Sequence, residues 1–467
     1  MGDEQLEADQ RCDYILGTRR QIVLNLQRMF HEHNCLIKTF KTALERMPTD
    51  EYKVVIRADR IPAGEHERRF NAPQVDEVAV VISGNKFDKR DIIIQRRGES
   101  LQRISETHRS YDALQYPVIF PRGEDGYHFN IRQVNPATGE TTRKKVSAMD
   151  FYAYRLMVRE NEQNHILNCR QLFHQFIVDM YAKIESERLL FIRLNQSKLR
   201  VEEEYIHLRD AVANDANDED IGTLVILPAM FTGSPRHMHE YTQDAMTYVR
   251  TYGRPDLFIT FTCNPGWTEI KEMLKNGQVP CDRHDLIARV FRQKRFTLIE
   301  LITKAHVFGP PRCWMYTIEY QKRGLPHSHN LIWLAGKIQP TQIDEVISAE
   351  LPDPREDPNL YTVVTKNMIH GPCGNINPNS PCMKDGKCSK RYPRELIKET
   401  QTGDDGYPRY RRRAPQDGGF TAKVKLHGIE IDNRWVVPFS PLLSKVFQAH
   451  INVEYCNSVK SIMCASM

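Results

Sequence analysis

Apolar and polar positions change period several times along the chain, and each change predicts an element. Within residues 10–46, Ile15, Ile22, Leu24, Leu26, Met29 and Phe30 recur at roughly helical spacing, and Met47-Pro-Thr-Asp50 closes the run. Short strand-like runs follow at 52–56, 77–82 and 91–95, most of them bounded by Gly, Pro, Asn or Asp, which predicts a small sheet. From 149 to about 209 the pattern is helical again. Leu167, Leu172, Phe176, Ile177, Met180, Ile184 and Leu189 line one side, as expected of a packed helix. The acidic, turn-rich stretch 214–220 reads as a linker. Beyond it the order is a helix at about 238–252, a strand within 254–265, a helix from 285 to about 305, and two strands within 314–334. Loop and short helix are expected at 338–358, and two short strands at 421–427 and 429–437. The alternation is that of an α+β protein.

The 314–334 stretch carries the candidate chemistry. It reads as a hairpin about Lys322-Arg323-Gly324. His327 and His329 are two positions apart on the second strand, so their side chains share a face. Glu319 on the first strand comes near them if the hairpin pairs about its turn. Two imidazoles and a carboxylate make a divalent-metal site with room for substrate oxygens. The alternative is a buried strand whose histidines only hydrogen-bond.

Phe258-Ile-Thr-Phe-Thr-Cys-Asn-Pro265 and Gly324-Leu-Pro-His-Ser-His329, in this order, resemble the first and second motifs of the replication-initiator domain of Helitron transposases, a branch of the HUH endonucleases. The resemblance runs from about 62 to 462, with Ser328 where relatives have an apolar residue or Ala. It implies an antiparallel-sheet HUH domain at 221–462, preceded by an N-terminal region at 1–148 and a helical segment with linker at 149–220. It also implies Mg²⁺ or Mn²⁺ on His327, His329 and Glu319, and single-stranded DNA as partner. The implied reaction is a transesterification in which a tyrosine attacks phosphorus. Phenol, with a free pKa of about 10, needs a metal and close placement for that. Relatives carry the nucleophile as two tyrosines one helical turn apart, after a segment like 450–462. Here 463–467 reads Met-Cys-Ala-Ser-Met, and no such pair follows. Tyr455 precedes the expected place, on a strand-like alternation. No phosphate-binding G-x-x-x-x-G-K-[ST] loop occurs either. The sequence therefore predicts a Helitron-type fragment without covalent nicking, its last five residues a divergent tail. Two other readings stay open: a noncatalytic, zinc-stabilised nucleic-acid-binding protein, or a transposon relic.

Within a loop at 370–391, His370, Cys373, Cys382 and Cys388 supply four potential zinc ligands in a stretch with little core of its own. Four unligated residues are the alternative. Basic residues cluster at 143–145, 387–391 and 409–413. Lys390, Arg391, Arg411, Arg412 and Arg413 could meet phosphates, as could Arg236 beside Gly233 and Ser234; solvated surface or a helix entry capped near Thr232 or Ser234 is the alternative. The net charge of +5 over 467 residues adds little. Eleven cysteines without a leader predict a reducing compartment, nuclear or cytoplasmic, rather than a disulfide scaffold. No apolar run approaches the ~20 residues a membrane span needs.

Overall fold

The computed structural model describes residues 4–15, 17–39, 92–95, 101–195, 227–228, 230–232, 234–321, 324–371, 373–403, 408–423 and 430–456. The strands expected at 52–56 and 77–82, the 214–220 linker, Lys322, Arg323 and the 463–467 tail lie outside them. The chain divides into two compact units, Met1–Phe191 and Ile192–Met467.

The first unit opens with α1 (Glu4–Tyr14) and α2 (Arg20–His33). The expected single helical run is broken between them, where Gly17 takes φ +89°, a conformation that costs glycine little. Two antiparallel strand pairs follow, β1 (Ile92–Gln95) with β2 (Leu101–Ile104), and β3 (Arg132–Val134) with β4 (Thr141–Lys145). The helices α3 (Tyr111–Gln115), α4 (Ala148–Leu156) and α5 (Arg170–Leu194) complete it. Ser147 caps α4 by accepting from Asp150 N. Tyr152, Phe173, Phe176 and Met180 share one core with Ile119 and Phe120, so the helical stretch after 149 packs into this unit. Inside that core Lys183 Nζ donates to Asp112 at 3.2 Å and to Tyr152 Oη at 2.8 Å.

The second unit is built on a four-stranded antiparallel sheet of order β14-β5-β7-β6. Its strands are β5 (Leu257–Thr262), β6 (Pro311–Tyr320), β7 (Pro326–Leu334) and β14 (Ile451–Tyr455). The four two-residue pairing partners β8 (Met383–Lys384), β9 (Lys387–Cys388), β10 (Gln401–Thr402) and β11 (Pro408–Arg409) lie in the loops, as do β12 (Ala422–Lys423) and β13 (Glu430–Ile431). The last two are shorter than the strands expected at 421–427 and 429–437. After β13 the backbone turns into a 3₁₀ segment capped by Asp432, while residues 424–429 lie outside the described residues.

Helices of this unit are α6 (Pro235–Tyr252), α7 (Thr268–Met273), α8 (His284–Thr303), α9 (Pro358–Asn367) and α10 (Pro441–Phe447). Alternate residues of β5 and β14 are buried, which gives the sheet two unlike faces. Leu257, Ile259, Phe261, Ile332, Ile451 and Val453 pack with Leu286, Phe291 and Leu298 of α8 in the main core. Among the described residues the opposite face is packed with apolar side chains at one end, where Ala245 and Val249 of α6 meet Leu331 and Trp333. The rest of that face is polar.

Among the described residues all named strand pairs are antiparallel and helices accompany them, an α+β architecture. Among them, too, no helix is long and apolar enough to cross a membrane.

Candidate metal centres and their surroundings

The uncovered part of the polar face carries the histidines. In β7, Ser328 and Asn330 point into the core side, and Asn330 Nδ2 donates to Ile259 O at 3.0 Å and to Ser328 Oγ at 3.1 Å. Both are fully buried, so the hydroxyl at 328 answers a polar need inside the sheet. The alternation then turns His327 and His329 to the other face together. Across the hairpin Glu319 is the register partner of His327, and Thr317 of His329. On the other side, Thr262 faces His327 and Thr260 faces His329.

The three ligand-type side chains converge. His327 Nε2 lies 3.0 Å from Glu319 Oε2 and 3.1 Å from His329 Nε2, and His329 Nε2 lies 3.5 Å from Glu319 Oε2. Ligands about 2.1 Å from one cation stand about 3.0 Å apart at right angles and about 3.4 Å apart at tetrahedral angles. The observed separations fit one ion touching all three atoms. They leave its remaining positions toward the open side of the sheet.

Surrounding groups favour that use. His329 Nδ1 lies 3.1 Å from Thr260 Oγ1, a hydrogen bond that sets the ring and leaves Nε2 for a ligand role. Phe258 stacks on the same ring, with centroids 5.4 Å apart and planes at 10°. Burial holds His329 below the usual histidine range, more strongly than Glu319 raises it, so the ring stays neutral as metal ligation requires. His327 Nδ1 is buried and has no hydrogen-bond partner among the described residues. His450, just before β14, is held low by burial and by the charge of His327. Sequence reasoning passed over His450; its signal was an imidazole at the start of a strand that pairs beside the first-motif strand.

The second group is the Cys/His loop. The candidate ligand atoms of His370, Cys373, Cys382 and Cys388 all lie within 4.8 Å of one another. Zinc–thiolate bonds of about 2.3 Å put tetrahedral sulfurs about 3.8 Å apart, so the donor set fits Zn²⁺. Cys382 directly precedes β8 and Cys388 ends β9. Asp385 and Gly386 turn that hairpin with φ of +50° and +74°, the positive pair a tight two-residue turn needs. Cys388 Sγ is 3.4 Å from His370 Nε2, and the His370 ring stacks on Tyr392 at 4.2 Å. Burial pushes the Cys373 thiol up to about 12. For Cys388 burial acts the same way, but backbone N–H groups of Tyr392 and Lys390 outweigh it and hold the thiol below its usual range.

The basic candidates divide. Lys390 and Arg391 are exposed just beyond Cys388. Arg411 and Arg413 both pair with Glu350, at 3.2 and 2.7 Å. Arg412 corrects the expectation of a phosphate contact: it is buried and donates to Ala349 O, Asn433 O and Val436 O, serving the fold. Arg236 falls in the first turn of α6; its side chain lies outside the described residues. Ser234 caps α6 through its hydroxyl, which accepts from His237 N at 3.0 Å.

Two tyrosine observations bear on the reaction. Tyr455 faces the core, on the side of the sheet away from the histidines. Tyr248 and Tyr252 stand one helical turn apart on α6, a spacing not singled out in the sequence. They lie at the covered end, with Tyr248 against Trp333, which is four residues along β7 from His329.

These features define an α+β protein whose antiparallel sheet and adjoining loop each hold side chains able to bind a metal ion. Residues 151–332 match the family described as the Helitron helicase-like domain at the N-terminus. Over that part the chain is similar to the N-terminal portion of Helitron transposases. The match ends inside β7 and includes Glu319, His327 and His329. No curated protein matches the chain.

Proposed function

We propose that this chain is a strand-holding module of a Helitron-type rolling-circle transposase with an HUH-type site. In this reading single-stranded DNA lies over the open face of the sheet, and Mg²⁺ or Mn²⁺ sits on His327, His329 and Glu319. The observation that carries it is the 3.0–3.5 Å convergence of three ligand atoms on a face that α6 leaves uncovered. A divalent cation bound there would supply Lewis-acid polarisation of a phosphate oxygen. The chain's own contribution is orientation: Thr260 fixes one imidazole, Phe258 backs it, and the hairpin register brings Glu319 alongside. Among the described residues no tyrosine joins these three ligands, and the proposal is therefore binding of strand and metal without covalent attachment.

A second reading draws on the Cys/His loop: a zinc-stabilised nucleic-acid-binding protein that performs no chemistry. The four donors within 4.8 Å favour zinc there, and both metals can coexist.

The two readings separate in one binding experiment with a fluorescent oligothymidylate, with and without Mn²⁺. The metal-dependent reading expects Mn²⁺ to tighten binding in the wild type and not in His327→Ala/His329→Ala. Equal binding with and without Mn²⁺ in the wild type would leave only the second reading.

A further inference from the structure

A cavity of about 970 Å³ opens between the Cys/His loop and β14, the edge strand of the sheet. The candidate metal ligands do not line it. Among the described residues, five cationic side chains line it against two carboxylates, Glu395 and Glu454. Arg409 pairs with Glu395, and Arg412 forms part of the inner wall. Lys390, Arg391 and Arg394 are exposed, and no carboxylate pairs with them among the described residues. Three exposed cations on one wall, unpaired among the described residues, repel one another, an arrangement that an anion would relieve.

The wall is held in place. Arg391 N donates to Cys388 O at 2.9 Å, and Tyr392 stacks on His370. The Cys/His cluster thus fixes the segment that presents the cations. The cavity also adjoins the histidine face. Glu454 projects into it from β14 and pairs in register with Phe258, whose ring stacks on His329. Only β5 separates β14 from β7, so the two strands are about 10 Å apart.

We infer that this cavity is a second anchoring subsite, holding a phosphate-bearing nucleotide of the same single strand that crosses the histidine face. It rests on the strand-binding reading above, and it adds a place and a residue set that the metal site does not need. The cations would meet backbone phosphates, which makes the contribution independent of base sequence and sensitive to salt.

The test is Lys390→Gln/Arg391→Gln in the full chain, both residues being exposed. Oligothymidylate binding is followed across a salt titration, with and without Mn²⁺, and Mn²⁺ binding is measured separately. The expected result is binding about tenfold weaker, with a salt slope shallower by about 1.4 for two lost single-strand phosphate contacts. Mn²⁺ binding should not change. Wild-type affinity and slope in the variant would overturn the inference, even if Mn²⁺ still promotes DNA binding. Conversely, weaker DNA binding in this variant would uphold it even if Mn²⁺ has no effect and the metal reading fails. Inorganic pyrophosphate supplies the remaining arm. Full displacement of the oligonucleotide by micromolar pyrophosphate, in the wild type only, would assign the cavity to a free phosphate ligand and overturn the strand assignment.

Discussion

Thr260 is the residue on which the orientation of His329 turns. Its hydroxyl is 3.1 Å from Nδ1, and β5 supplies it from the register position directly opposite. Outer partners of this kind typically change metal affinity 10- to 100-fold. Thr260→Val should therefore weaken Mn²⁺ binding about tenfold, and Thr260→Ser should restore most of it, read by calorimetric titration. His108 gives a pH dependence in the first unit. Burial, helped by Arg109, brings it down to about 4 from an ordinary 6.5. Between those values the unfolded chain binds a proton that the native chain refuses. Stability contributed by His108 is thus complete above about 6.5, falls as the pH drops, and stops falling near 4. His108→Gln should show a flatter loss of thermal midpoint over that window; equal slopes would contradict the assignment. At this scale the i, i+2 spacing of His327 and His329 was readable, because strand geometry alone puts both on one face. Arg412 was misread because a run of arginines does not say which of them finds carbonyls to satisfy it. That depends on Ala349, Asn433 and Val436, all distant in sequence.

Elements with a strong periodic signal were legible in the sequence. The helix expected at 285 to about 305 appears as α8, because its apolar positions face the main core, and the expected hairpin appears as β6 and β7. The break at Gly17 was harder to see, since apolar spacing continues across it and only backbone conformation separates α1 from α2. The two-residue strands of the loops had no detectable period at all. For the Cys/His loop the sequence supplied the donors, but it could not say whether they meet. Asp385-Gly386 and the β8–β9 pairing bring Cys382 and Cys388 together, and His370 arrives from the end of α9. Because one ion joining these four donors would tie the loop to a single point, zinc should hold this loop in shape. The purified protein should contain one zinc in this loop. Cys388→Ser should lose it and expose residues 373–391 to proteolysis at a rate well above wild type. Equal zinc content and equal cleavage in the two proteins would remove the metal from this loop.

Across the whole molecule, the family match and the compact units do not share boundaries. The match at 151–332 begins in α4 of the first unit and ends in β7 of the second. The sequence set residues from 149 apart from the N-terminal region, yet Tyr152, Phe173 and Phe176 are core residues of that unit. Apolar periodicity shows that a helix has a buried side, not which neighbour buries it. The account depends most on a cation joining His327, His329 and Glu319, and calorimetric titration of Mn²⁺ into metal-stripped protein reloaded with one equivalent of zinc, taken by the thiol-rich loop, tests it most directly. The predicted result is one Mn²⁺ site in the wild type and none in His327→Ala, with unchanged circular dichroism in both. Superimposable isotherms for the two proteins would contradict it.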